Sequence, residues 1–130
     1  MMSKNFDIDL NFGQINESKV RDIFEGEGSI EVKTERGIWK KTGNIAVEIS
    51  YRGNPSGISN TDAKWWIHVL NDDGVIDSAM IFDVATLRKK IKDMIKSGDA
   101  RVITAGDRLD SEIVLIPIDK LSITGVDNER

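Results

Sequence analysis

Two short segments of the chain carry acidic and basic residues at alternate positions. The first, IEVKTE, contains Glu31 and Lys33, and the second, NIAVEIS, contains Glu48. Such alternation is typical of a strand with one solvated face, and taken alone it indicates nothing more. Two carboxylates beside an open space, however, offer the oxygen ligands that Mg²⁺ prefers, and a nearby lysine can stabilise charge on a phosphate.

The two segments are predicted to pair as an antiparallel hairpin, with their apolar residues facing the core. One simple register places Glu31 opposite Glu48, with Cβ atoms roughly 4.5–5.5 Å apart. Two like charges there are unfavourable unless a cation lies between them. Lys33 on the same face can swing toward both carboxylates. The pattern therefore predicts a site where Glu31 and Glu48 bind a metal and Lys33 assists hydrolysis of a phosphodiester.

The elements that must position these residues follow from periodicity and turn signals. Residues 1–14 are predicted as an irregular or weakly extended arm, 16–24 as a short helix and 122–130 as a frayed tail. Later strands are predicted at KWWIHVLN, VIDSAMIFDV, ARVITAG and EIVLIPIDKL, and a long helix, capped by Asp83, at VATLRKKIKDMIKSG. The order predicts one α+β domain over residues 1–130, with a central mixed sheet that opens with an antiparallel meander and is flanked by helices.

The composition limits the classes of function. The chain has 130 residues, which fits one domain with a single core. It has no cysteine and one histidine, which excludes disulfides, thiolate sites and multi-histidine sites and fits a reducing cytosol. No membrane association is expected, because no apolar run approaches roughly 18 residues. A net charge of −4 argues against strong non-specific binding to DNA.

Several motifs together resemble small phage and bacterial proteins of the PD-(D/E)XK nuclease superfamily. They are IEVKTE, TGNIAVEI, RGNPSGIS, the WW pair and, near the C-terminus, AGDRLDSEIVLIPIDKL, so the resemblance spans residues 7–121. It implies a restriction-endonuclease-like core, cleavage of DNA with Mg²⁺ or Mn²⁺, and action in the cytoplasm of a bacterial host cell. It also implies a homodimer as a family-level expectation.

The resemblance assigns roles to four residues. Glu31 and Lys33 match an acid-x-lysine motif, and Glu48 matches the acid on the neighbouring strand. Glu17, in the first predicted helix, matches a helix acid that many members contribute. The resemblance therefore implies Glu31, Lys33 and Glu48 as catalytic residues and Glu17, Glu31 and Glu48 as metal ligands.

The chain departs from the usual arrangement, which has an aspartate on one strand and E-x-K on the next. Either Asp7 or Asp9 supplies that aspartate, or Glu31 does, with Lys33 as a lysine moved between strands; the second assignment is favoured. The position two after Glu48 is a serine instead of the expected lysine.

The loop RGNPSG resembles a substrate-contacting loop, which makes Arg52, Ser56 and Gly57 candidate substrate-binding residues; a wide turn is an equally good interpretation. The competing function is a nuclease fold that binds DNA or a protein partner without catalysis. The displaced lysine and the acidic net charge favour that alternative. A structural protein without any site is a further one.

Four other features have structural interpretations. One of the adjacent Trp65 and Trp66 is expected in the core, because neighbours on a strand point to opposite faces. His68 is expected as a hydrogen-bonded structural histidine, with a catalytic base as the alternative, and Glu35 as surface charge at the end of the hairpin. The basic residues of the long helix, at 88–96, are expected to be solvated, with a phosphate-binding track as the alternative.

Overall fold

The strands form two sheets around a shared core. In this computed structural model, residues 4–25 and 29–121 are described, and within the first helix side chains are described from residue 14. The helices are α1 Lys4–Phe24, α2 Trp39–Thr42, α3 Val84–Ser97 and α4 Ile118–Leu121, with a 3₁₀ turn at Gly57–Ser59. The strands are β1 Ile30–Glu35, β2 Asn44–Tyr51, β3 Asn54–Pro55, β4 Trp65–Asp72, β5 Val75–Asp83, β6 Arg101–Ala105 and β7 Ser111–Pro117.

The α+β class and the order of the longer elements are confirmed, but the single central sheet is wrong. A mixed sheet has the strand order β1-β4-β5, and an antiparallel sheet has the order β3-β2-β7-β6. The predicted hairpin of β1 and β2 is also wrong, because β1 pairs in parallel with β4 and β2 pairs antiparallel with β7. Glu31 and Glu48 are therefore not cross-strand neighbours.

The connection between β1 and β2 explains why the hairpin does not form. It contains helix α2 instead of a tight turn, and this helix is tied to the end of β4. Trp39 donates its indole N–H to the carbonyl oxygen of Asn71 at 2.8 Å, and Lys40 pairs with Asp72 at 2.8 Å. The hydrogen bond to Asp72 raises the pKa of Lys40. After β1, helix α2 is therefore held against the end of β4, and the chain then continues into β2 of the antiparallel sheet.

Pairing with β4 also reverses the predicted orientation of β1. In a parallel pair, residues in register face the same side of the sheet. The polar side of β1 is in register with the core side of β4 in three pairs: Glu31 with Trp66, Lys33 with His68, and Glu35 with Leu70. Val32, predicted to face the core, is instead 54% exposed.

The core lies between the two sheets and helix α3. Its buried side chains come from every one of these layers. They include Ile45, Val47, Trp66, Leu70, Leu87, Ile91, Met94, Val114 and Ile116. Among the apolar side chains of α3, Leu87, Ile91 and Met94 are buried, whereas Ile95 is 37% exposed.

The N-terminal arm predicted for residues 1–14 is wrong from residue 4 onward. Helix α1 runs from Lys4 to Phe24, so the short helix predicted from residue 16 is the second part of a longer one. Among the apolar side chains near its C-terminal end, Ile23 is buried, whereas Val20 and Phe24 are exposed. The predicted tail at 122–130 lies outside the described residues. Within the described part of the chain, no helix has the length and apolar character needed to cross a membrane.

Helix α3 begins and ends as its sequence predicts. Asp83 accepts a hydrogen bond from the backbone N–H of Thr86 at 2.9 Å, and Gly98 ends the helix in a left-handed conformation. The Thr86 N–H, together with a hydrogen bond from Lys64, lowers the pKa of Asp83. Because the carboxylate form is the one that caps the helix, this interaction stabilises the fold when Asp83 is ionised.

We expect Asp83→Ala to lower the free energy of unfolding by about 1 kcal/mol at neutral pH, the usual value of an N-cap. The pKa of Asp83 is lowered in the folded state, so the stabilisation is complete above the ordinary carboxyl pKa of 3.8 and is lost as the pH falls through the lowered value. Urea unfolding of wild type and variant across this range measures the difference. Asp83→Asn, which keeps the acceptor without the charge, is the control; a difference that persists unchanged in acid would contradict the assignment.

Candidate functional site

A cleft of about 380 Å³ opens between the two sheets. Glu31 and Lys33 of β1 and Glu48 of β2 line it together, although they belong to different sheets. The remaining lining residues come from five elements: Thr34, Glu35, Ala46, Val47, Gly57, Trp66, His68 and Ile113. The three residues predicted to carry the chemistry therefore share one cleft, by a strand arrangement that the sequence did not predict.

The charges around the cleft are mostly negative. Glu31, Glu35 and Glu48 contribute carboxylates, and Lys33 contributes the one ammonium group among the lining residues. The Lys33 Nζ lies 3.9 Å from Oε1 of Glu31, with both side chains well exposed. An exposed pair of this kind contributes little to stability. Lys33 is thus held loosely beside one carboxylate.

Glu35 is the residue that the sequence interpretation missed. Its prediction as surface charge is wrong, because its side chain is only 12% exposed. Its Oε1 accepts the backbone N–H of Ala46 at 2.6 Å and lies 2.9 Å from Nε2 of His68. One carboxylate oxygen therefore connects β1 with both β4 and β2. The sequence does place Glu35 on the same face of β1 as Glu31 and Lys33. The same alternation, however, is typical of an ordinary solvated face.

His68 is confirmed as a buried, hydrogen-bonded histidine at 1% exposure. One tryptophan of the pair lies in the core as expected, and it is Trp66, which donates its indole N–H to Nδ1 of His68 at 3.1 Å. Because an indole nitrogen can only donate, Nδ1 must accept, and the ring proton resides on Nε2. Nε2 then donates to Glu35. The hydrogen bonds thus run from Trp66 through His68 to Glu35, and we name these three side chains the relay.

Glu48 lies at an irregularity of β2. The register with β7 shifts between Glu48 and Ser50, which is the signature of a β-bulge. The loop that follows folds back onto this point, since Ser56 donates its backbone N–H to the carbonyl of Ile49 at 3.1 Å. Gly57 packs so tightly here, with φ of 54°, that an added Cβ would overlap the carbonyl oxygen of Glu48. The backbone of Glu48 is thus confined from the loop side.

The loop residues predicted to contact substrate separate in the structure. Gly57 lines the cleft, whereas neither Arg52 nor Ser56 is among its lining residues. Arg52 lies at the far end of β2, where its Nε pairs with Asp110 at 3.2 Å. The Ser56 hydroxyl is a buried polar atom without a hydrogen-bond partner among the described residues.

The acidic residues predicted from the N-terminal part of the chain, Glu17, Asp7 and Asp9, are not among the lining residues of the cleft that the structure describes. Glu17 is exposed on α1 and lines a different surface concavity, together with Val20 and Phe24. Asp7 and Asp9 fall in the part of α1 whose side chains are not described.

Two of the basic residues of α3 have structural roles. Arg88 donates to the carbonyls of Ile58 and Thr61 at 2.7 and 2.8 Å, and Lys90 donates to the carbonyl of Leu121 at 2.9 Å. They tie the helix to the segment around the 3₁₀ turn and to α4, although Arg88 is exposed as expected and Lys90 is half-buried.

The chemistry of the cleft suits a hard divalent cation. Mg²⁺ is commonly held by one or two carboxylates, with water and substrate phosphate as its other ligands. Glu31 and Glu48 supply two such carboxylates to one open space. Among the described residues, no group of three His, Asp or Glu side chains is arranged as a complete metal cage. Two carboxylates beside one open space fit a site at which water and substrate complete the coordination.

No protein-family model, curated protein or solved structure matches the chain. The resemblance to PD-(D/E)XK nucleases therefore stays a prediction that rests on its motifs.

We expect Glu35→Ala to destabilise the protein through the two donors that it leaves behind. Each buried donor without an acceptor costs about 1–3 kcal/mol. Glu35→Gln, which keeps an acceptor oxygen, should cost less. Urea unfolding measures both, with the exposed neighbour Thr34→Ala as control. A Glu35→Ala variant as stable as the control would show that the carboxylate does not hold the sheets together.

The confinement of Glu48 by Gly57 is tested with a matched pair of glycines. Gly53 has φ of 79° with nothing near its missing Cβ, so Gly53→Ala should cost only the left-handed penalty of about 1–2 kcal/mol. Gly57→Ala should cost more in the same unfolding measurement, because the backbone of Glu48 must also move. Equal costs for the two variants would mean that the loop does not press on Glu48.

Proposed function

We propose that the protein is a metal-dependent nuclease that hydrolyses phosphodiester bonds in DNA with Mg²⁺ or Mn²⁺. The observation that carries the proposal is that Glu31, Lys33 and Glu48 line one open cleft although they come from two sheets. The motif resemblance to PD-(D/E)XK nucleases points to the same three residues independently of where the strands lie.

In this proposal Glu31 and Glu48 hold the cation and Lys33 faces the phosphate. A bound divalent cation lowers the pKa of a coordinated water and offsets negative charge on the phosphate. Lys33, whose side chain is 47% exposed, is free to leave its loose contact with Glu31 and donate to a phosphate oxygen. Glu48, confined by the bulge and by Gly57, supplies the fixed side of the cleft. Glu17 lines a different concavity and has no part in the proposal.

The proposal includes a restriction-endonuclease-like core. Its support is the element order, a helix before the strands, a helix after β5 and further strands behind it. The separation of β1 and β2 into two sheets is a departure from a meander. The proposed place of action is the cytoplasm of a bacterial cell, which suits a chain without cysteine.

A second candidate is a module that binds DNA or a protein without cleaving it. Two observations favour it. The position two after Glu48 is occupied by Ser50, whose hydroxyl donates to Glu112 at 2.7 Å, so no cation stands there. The cleft also has three carboxylates for one ammonium group, which repels a phosphate unless a metal is bound and so favours a protein partner over DNA.

We expect wild-type protein to nick or cleave DNA in the presence of Mg²⁺ or Mn²⁺ and to lose this activity with a chelator. Glu48→Ala removes a cation ligand and Lys33→Ala removes the phosphate donor, so each should abolish cleavage while the fold survives. Gel assays on duplex, branched and single-stranded DNA measure the activity, and circular dichroism checks the fold. Lys92→Ala, an exposed lysine of α3 away from the cleft, is the control and should retain activity.

Absence of metal-dependent cleavage on all three kinds of DNA would overturn the nuclease proposal. Fluorescence anisotropy with the same DNA then decides about the second candidate. Binding that is lost in Lys33→Ala but retained in Lys92→Ala supports a DNA-binding module.

A further inference from the structure

His68 is a buried titratable residue that the proposed mechanism does not use. At 1% exposure it cannot reach a substrate, yet it lines the wall of the cleft behind Glu35. Any effect on the chemistry must therefore pass through a neighbour. The relay shows which neighbour, because Nε2 of His68 lies 2.9 Å from Oε1 of Glu35.

The same oxygen of Glu35 accepts the N–H of Ala46. Among the described residues, this is the only hydrogen bond that joins a strand of the mixed sheet to a strand of the antiparallel sheet. Ala46 precedes Glu48 by two residues on β2, and their side chains share a face. Glu35 therefore links the part of β2 that carries Glu48 to the strand that carries Glu31 and Lys33.

Trp66 gives the relay its direction. Its N–H occupies Nδ1 of His68, so the histidine presents a donor, not an acceptor, to Glu35. A hydrogen bond from this donor adds to that of Ala46 and leaves Oε1 with two donors. Hydrogen bonds to an ionised carboxylate are stronger than those between neutral groups and fix its orientation.

We propose that His68 is a positioning residue for the cleft, which acts through Glu35 and the Ala46 amide to hold Glu48 against Glu31 and Lys33. The expected effect of His68 on cleavage rests on the nuclease proposal. The expected effect of His68 on the Ala46 amide does not depend on that proposal, and the two effects are measured separately.

The test is a matched pair of amide substitutions. The side-chain nitrogen of glutamine reaches the place of Nε2, whereas that of asparagine stops near Nδ1. His68→Gln should therefore retain a donor to Glu35, and His68→Asn should lose it. Ile91→Val, a buried change on α3, controls for a general loss of stability.

Hydrogen exchange of the Ala46 amide, followed by NMR, gives the readout that does not need activity. We expect the Ala46 amide to exchange about tenfold faster or more in His68→Asn. Without the donor from His68, the Glu35 carboxylate is no longer held in place, and its hydrogen bond with the Ala46 amide is weakened. His68→Gln and Ile91→Val should exchange as wild type does once global stability is matched with urea. Unchanged Ala46 exchange in His68→Asn, or no recovery in His68→Gln, would overturn the positioning role.

Cleavage kinetics give the second readout. Misplacement of a reacting group by about 1 Å can cost about 100-fold, so kcat should fall to that extent in His68→Asn with KM little changed. His68→Gln should recover most of the loss. A wild type that cleaves DNA and a His68→Asn variant with unchanged kcat would contradict the positioning of the reaction. A wild type that cleaves no DNA, with Ala46 exchange that follows the prediction, would overturn the nuclease proposal and leave the positioning of β2 intact.

Discussion

The architecture of the cleft depends on one carboxylate oxygen. Oε1 of Glu35 accepts hydrogen bonds from Ala46 in one sheet and from His68 in the other. Strand β2, which carries Ala46, has no ladder pairing with β1 or β4, so no ladder fixes its separation from them. Loss of this carboxylate would leave both donors without an acceptor, and each unsatisfied buried donor is costly. This carboxylate is thus the polar link between the two sheets at the cleft, beside an apolar core that packs Val47 and Trp66 of the same strands into one cluster.

A second constraint acts on the same strand from the opposite side. The loop after β2 returns to the bulge at Glu48, and Gly57 touches its carbonyl with no room for a side chain. Glu48 is thus held between a loop and the hydrogen bond at Ala46, whereas Glu31 and Lys33 stand on an edge strand with exposed side chains. The two sides of the cleft therefore differ: the backbone of Glu48 is confined, whereas the side chains of Glu31 and Lys33 are exposed to solvent.

The sequence was informative where the physics is local, and much less so where it depends on strand pairing. The cap at Asp83 and the stop at Gly98 follow from short-range signals, and both are present. Alternation placed Glu31 and Lys33 on one face correctly, but it could not tell which face of β1 meets the core. That choice is made by β4, whose residues Trp66 and His68 stand in register with them. An acid at the edge of a buried region and an acid in water have the same pattern in a sequence, which is why Glu35 was missed.

The strand pairings also have a consequence for how the protein folds. Strand β1 cannot form its ladder before β4 is available. Strand β2 likewise needs β7, near the end of the described chain, since Val47 pairs with Val114. Pairings between distant segments close long loops before they gain contacts, which slows folding, and parallel pairing adds to the delay. No short fragment of the chain contains the cleft. During synthesis its acidic wall at Glu31 exists long before its opposite wall has a partner strand, so the cleft is among the last features of the molecule to be assembled.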